Sequence, residues 1–184
     1  WLDLLTANGH LEEEITKVQK SQSYAQPAQL FWNCGGTPAT GGFATVDSTK
    51  AGADLFKPIV GRGSAYADID GDGDLDVAFT QLHGKPLLLR NDQALGNHWL
   101  RVKLTGKAAN RDGVGAMLKL KSGETTQWRL VTAARSYLSQ SETAATFGLG
   151  QEAEQAELTV VWPGGEVQTV AVPKLDTMLV IEQP

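Results

Sequence analysis

The sequence predicts an all-β chain, and three features carry that expectation. Apolar residues come in short runs cut by Gly, Asn, Asp and Pro, with 20 Gly and 7 Pro among 184 residues. That is the punctuation of strands and turns rather than of long helices. A strand–turn–strand pattern occurs twice in the first half. From His98 onward apolar and polar residues alternate, as in Trp99, Arg101 and Lys103 against Leu100, Val102 and Leu104, which suits strands with one buried face.

The composition excludes several classes. Hydrophobic residues make up 41% and charged residues 20%, so the chain has enough apolar content to fold. No apolar run reaches the ~18 residues of a membrane-spanning helix. The formal charge of −5 opposes binding to a phosphate backbone, so no nucleic-acid partner is expected. The single cysteine, Cys34, excludes an intrachain disulfide and a cysteine-based zinc site. The chain opens on Trp1-Leu2-Asp3 with no targeting signal in view, and reads as part of something larger or as a mature fragment.

Taken in order, Trp1–Thr6 (WLDLLT) aligns with Asp74–Phe79 (DLDVAF), and Gln29–Asn33 (QLFWN) with Leu87–Asn91 (LLLRN). The Asp-to-Asn separation is 30 in the first copy (3 to 33) and 15 in the second (76 to 91). The extra residues match His10–Gln22 (HLEEEITKVQKSQ), where early acids, a late lysine, and Leu11, Ile15 and Val18 on one face predict a helix. Repeated strand–turn–strand units suggest propeller blades or a solenoid. Residues 1–94 therefore read as about one and a half blades with a helical insertion.

Residues 95–184 read as a separate seven-stranded sandwich or small barrel. The strands are expected at His98–Leu104, Gly115–Lys121, Gln127–Ala133, Ala144–Leu149, Ala156–Trp162, Glu166–Val172 and Thr177–Glu182. Between the halves runs the polar joint 91–96.

The strongest chemical signal is Asp68-Ile69-Asp70-Gly71-Asp72-Gly73-Asp74-Leu75-Asp76. Five carboxylates at alternate positions repel one another unless a cation lies among them. Calcium takes six to eight oxygen ligands in flexible geometry. Asp68, Asp70 and Asp72 supply carboxylates, Asp74 its backbone carbonyl, and Asp76 closes the site from the next strand. The closing acid comes at the ninth position and leads into the strand Leu75–Phe79, which excludes a 12-residue helix–loop–helix site. Hard oxygen donors disfavour zinc and copper. The expected ion is Ca2+.

Gly61-Arg62-Gly63-Ser64-Ala65, the Asp-rich loop and Leu87–Asn91 together resemble the FG-GAP/VCBS repeats of calcium-binding β-propellers. Asn97–Leu104, Asn110–Ala116, Tyr137–Ser141, Phe147–Gly150 and Val161–Gly165 resemble the ASPIC/UnbV domain. In this order the blocks are similar to the C-terminal end of cartilage-acidic-protein-like chains. The resemblance implies an extracellular or periplasmic adhesion or recognition protein without enzymatic activity, and it places the calcium ligands on Asp68, Asp70, Asp72, Asp74 and Asp76. Asp3 matches only the tail of such a loop and is not expected to hold calcium.

Other chemistries fare worse. His10, His83 and His98 have no metal-ligand spacing. No Gly-x-Ser-x-Gly elbow exists for a hydrolase, and Gly61-x-Gly63-Ser64 precedes the acidic loop rather than a helix. Ser136, Ser139 and Ser141 read as turn-forming residues. Cys34 reads as a structural thiol at a strand end. Trp99 and Trp162 are expected in the core. The leading function is a non-enzymatic, calcium-stabilised extracellular recognition module, with a protein or glycan ligand or further propeller blades on another chain as partner. The alternatives are a carbohydrate-binding accessory domain of a secreted enzyme, marked by clustered exposed aromatics, and an architectural subunit joined through an open blade edge.

Overall fold

The computed structural model describes residues 1–36, 41–93, 95–153 and 155–184. The polar joint includes Ala94, which lies outside the described residues. The chain is all-β, with strands in five separate sheets. It divides into two compact units. The first comprises residues 1–66, 76–91 and 136–140, and the second residues 67–75, 92–135 and 141–184. Thus no single cut near residue 94 separates them: the Asp-rich loop up to Leu75 groups with the C-terminal unit.

In the first unit, β1 (Leu4–Thr6), β2 (Gln29–Asn33) and β3 (Phe43–Val46) form one sheet in that order. A second sheet contains β4 (Gly61–Ala67), β5 (Asp76–Gln81) and β6 (Leu87–Leu89). The two copies of the sequence repeat have the same register. Leu4, Leu5 and Thr6 pair with Phe31, Leu30 and Gln29, while Val77, Ala78 and Phe79 pair with Leu89, Leu88 and Leu87. The Asp–Asn match has a direct cause. Asn33 N–H donates to Asp3 Oδ1 at 2.8 Å, and Asn91 N–H donates to Asp76 Oδ1 at 2.9 Å. In both copies an aspartate at the start of one strand satisfies a backbone donor at the far end of its partner.

The helix expected over His10–Gln22 shrinks to one turn, α1 (Ile15–Val18). Glu14 occupies the N-cap without a side-chain cap bond, and Glu12, Glu13 and Glu14 are adjacent like charges. Leu11 and Val18 are exposed, so no buried apolar face stabilises a longer helix. A second turn, α2 (Ser48–Ala51), has the cap α1 lacks, with Asp47 accepting from Thr49 N–H at 2.9 Å. The unit's buried apolar cluster among the described residues is small: Ala28, Ile59 and Phe79, with Leu5, Ala7, Leu55, Val77, Leu87 and Leu89 packed around them.

The second unit contains the seven strands expected of it, here β7 (His98–Thr105), β8 (Met117–Ser122), β9 (Thr125–Leu130), β12 (Ala145–Gly150), β13 (Glu157–Val161), β14 (Val167–Ala171) and β15 (Thr177–Glu182). Between β9 and β12 lies the hairpin of β10 (Ala134–Ser136) and β11 (Ser139–Gln140). The seven strands form a three-stranded sheet, β12-β7-β15, and a four-stranded sheet, β14-β13-β8-β9. β15 runs parallel to β7; the other pairings in these two sheets are antiparallel. Both sheets contribute to one core. Leu100, Val102 and Leu104 of β7, Leu118 and Leu120 of β8, Phe147 of β12, Leu158 and Val160 of β13, and Ile181 of β15 belong to a single cluster.

Trp162 is buried in that core, with Nε1 donating to Gln168 Oε1 at 2.9 Å. Gly113, at φ 62°, lies where a Cβ would meet Leu104 and Trp162. The Asn110–Val114 connection closes over it through two bonds, Val114 N–H to Asn110 Oδ1 at 2.7 Å and Asn110 Nδ2 to the Val114 carbonyl at 2.9 Å. These assign the Asn-Arg-Asp-Gly segment a turn-forming role.

Leu158→Ala would leave a cavity at the centre of this cluster. It is expected to lower the stability of the C-terminal unit by about 2–5 kcal/mol, the usual range for truncating a buried leucine, measured by denaturant unfolding followed through tryptophan fluorescence.

Candidate metal centre

The Asp-rich stretch joins β4 to β5. Gly71 and Gly73 have φ of 82° and 96°, values that favour glycine. Gly73 is required for a second reason, since a Cβ there would collide with the Trp99 indole. Trp99 is half-buried rather than a core residue, and its ring covers this turn.

Asp68 organises the loop. Its Oδ1 accepts Gly71 N–H at 2.7 Å and its Oδ2 accepts Gly73 N–H at 3.1 Å. Oδ2 also accepts Arg101 Nη1 at 2.8 Å. Arg101 Nη2 bonds Glu142 Oε2, and Glu142 Oε1 accepts Asp68 N–H at 3.2 Å. The Asp68 side chain is 0% exposed and that of Arg101 3%. Farther along, Asp72 Oδ1 accepts Asp74 N–H at 2.9 Å.

Within this continuous stretch, one carboxylate oxygen from each of Asp68, Asp70 and Asp76 lies within 4.8 Å of the others. The group combines a half-buried, an exposed and a buried residue. Asp72 belongs to the loop but not to this group, and its carboxylate caps the turn instead. Asp74 follows the turn, where the sequence places it. The donor set is all oxygen, which fits a hard divalent cation and not a soft one. Asp68 retains an Oδ1 lone pair after its three hydrogen bonds, because a carboxylate has about four acceptor sites.

Two further residues of this network escape the alternation pattern. Leu100, Val102 and Leu104 face the core, so Arg101 should face water, as Lys103 does. Instead Arg101 is 2% exposed, because it is engaged by the Asp68 carboxylate and Glu142. No local sequence feature couples residues 68, 101 and 142, which are separated by 33 and 41 positions.

The remaining candidates find ordinary roles. Cys34 is an exposed free thiol at the end of β2. Ser139 Oγ accepts Ser64 N–H at 3.1 Å and donates to the Tyr137 carbonyl at 3.0 Å. Trp32 and Phe43 are exposed, yet Trp32 pairs with Ala44 and Phe43 with Asn33, so they lie on opposite faces of their sheet. The outward Trp128 carries the Lys119 ammonium 5.5 Å from its ring centroid. His98 Nδ1 meets Asp176 Oδ2 at 2.7 Å, and Asp176 Oδ1 accepts Trp99 N–H at 3.0 Å. Burial raises the Asp176 carboxyl, but the bonds from His98 and from Trp99 N–H outweigh it and hold the group below its ordinary range.

Residues 106–184 match the family described as ASPIC and UnbV, so the C-terminal part carries an ASPIC/UnbV domain. The chain is 35% identical over 133 residues to Cartilage acidic protein 1 of Xenopus tropicalis. It is 32% identical over 133 residues to the proteins of the same name from Mus musculus and Homo sapiens. Each alignment covers 67% of this chain and 19–20% of the relative. The chain thus spans about a fifth of the length of the curated relatives it matches. No helix among the described residues is long and apolar enough to cross a membrane.

Asp76→Ala deletes a buried acceptor and leaves Asn91 N–H without this bond. It is expected to cost about 1–3 kcal/mol in chelator as well as in calcium, read by denaturant unfolding, because Asp3 fills the same place in the first copy. Asp176→Asn is expected to lower the melting temperature slightly at neutral pH, the pair being partly exposed and screened. A depressed folded-state pKa stabilises above the unfolded value of ~3.9. That stability is lost as pH falls through the folded value, so the difference between variant and parent should close below about pH 4 in melts run against pH.

Proposed function

We propose that this chain is a non-enzymatic, calcium-binding recognition module of the extracellular or periplasmic space. In this reading an FG-GAP/VCBS-type propeller end precedes the ASPIC/UnbV domain, whose seven strands form a sandwich. The observation that carries it is the convergence of Asp68, Asp70 and Asp76 within 4.8 Å in the loop between two strands of a repeated unit. Asp72 and the Asp74 carbonyl complete the ligand set as the loop tightens on the ion, with Ca2+ chosen by donor type and loop flexibility.

The repeat supports the propeller half. By register, β1 corresponds to β5 and β2 to β6. One copy has a further strand beside β2 and the other a further strand beside β5. Overlaying the copies gives the order β4, β5, β6, β3, a four-stranded unit of the size of a propeller blade. The partners that fit are further blades and a protein or glycan ligand. Trp32 and Phe43 lie on opposite faces of their sheet and so make no shared platform for a sugar. The relatives' name, Cartilage acidic protein 1, agrees with an acidic protein of a matrix.

Calcium at a hundredfold excess over its dissociation constant is expected to add about 2.7 kcal/mol. Melting the full chain in calcium and in chelator reads this, and Asp70→Ala, an exposed member of the group, should remove the shift. Identical melts together with no heat of binding in a calcium titration would overturn the calcium reading.

A further inference from the structure

We infer that Arg101 is the resident counter-ion of the Asp-rich loop and keeps it folded with no metal bound. Asp68 is the hub of the loop, because its two oxygens hold the Gly71 and Gly73 amides that define the turn, at 2.7 and 3.1 Å. Its side chain is fully buried, and a buried carboxylate persists in its charged form only with a compensating charge or hydrogen bonds. Arg101 supplies the charge at 2.8 Å on Oδ2, the oxygen that also receives Gly73 N–H. The guanidinium is itself fixed at the other end, since Nη2 bonds Glu142 and Glu142 in turn holds Asp68 N–H. Asp68, Arg101 and Glu142 therefore form a closed circuit, whose three members belong to the C-terminal unit. Among the described residues Arg101 Nε has no hydrogen-bond partner, and the side chain is held through its two Nη groups.

The circuit gives a division of labour. Arg101 neutralises the buried acid at the base of the loop, and Asp70 is exposed at its rim. The turn at Gly71 and Gly73 is then a standing feature of the C-terminal unit, and a cation adds to a loop already formed. This inference goes beyond the calcium reading and does not depend on it.

Amide hydrogen exchange of the full chain in chelator tests it. The Gly71 and Gly73 amides should be protected in the parent. In the double variant Arg101→Gln, Glu142→Gln, which removes the guanidinium without leaving the half-buried Glu142 unpaired, they should exchange at least about tenfold faster, the loss expected for a charge-assisted bond. Leu118 and Val160 amides report in the same spectra that the core remains folded. Asp68→Asn keeps the side-chain shape and gives a second route, and should speed exchange at Gly71, Gly73 or both. Unprotected loop amides in the parent, or equal protection in both variants and parent, would overturn the inference. Calcium added to the same samples reports separately on the proposed function: failure to bind removes that reading and leaves the exchange result in chelator standing.

Discussion

The organisation of the C-terminal unit depends on one buried charge arrangement. Arg101 lies on a strand whose flanking residues, Leu100 and Val102, are both fully buried in the apolar core. Its guanidinium is removed from water, and breaking a buried pair by deleting one partner costs ~3–5 kcal/mol. Asp68 and Glu142 come from segments far apart in sequence, so the pairing holds the 67–75 segment and the chain entering β12 against the same strand. The Asp-rich loop is thereby part of the C-terminal unit's structure, although in sequence it runs into the second copy of the repeat.

The two units differ in how they are stabilised. The C-terminal unit has one contiguous apolar cluster fed by both sheets. The N-terminal unit has a buried cluster of three apolar residues with several partly buried neighbours among the described residues. Such a core offsets little conformational entropy. The remaining order comes from backbone pairing and from aspartates that cap strand ends. Asp3 and Asp76 perform the same structural task in the two copies, so an aspartate at this position has a role before any metal is considered.

Much of this was legible in the sequence. The repeat alignment matched segments whose strand pairings have the same register in both copies, because side-chain period two ties register to pattern. The Asp-to-Asn spacings of 30 and 15 marked real side-chain-to-backbone bonds. Seven strands in the second half followed from alternation and turn residues. The helix over His10–Gln22 was overestimated because acids and lysines supply propensity and dipole terms but no buried face. The role of Arg101 was hidden for a different reason. Alternation assigns one strand face to solvent, and only a segment distant in sequence can change that assignment.

The same distinction separates the two kinds of aspartate in the loop. Asp68 and Asp76 are held by backbone donors and are buried or half-buried, so each has a structural reason to be aspartate. Asp70 is exposed at the rim, where solvent reaches its carboxylate. An acid at that rim position adds repulsion to a group whose other carboxylates lie within 4.8 Å, a cost that falls when a cation is shared among them. The case for a metal therefore rests on the convergence of these three carboxylates more than on the density of acids in the loop.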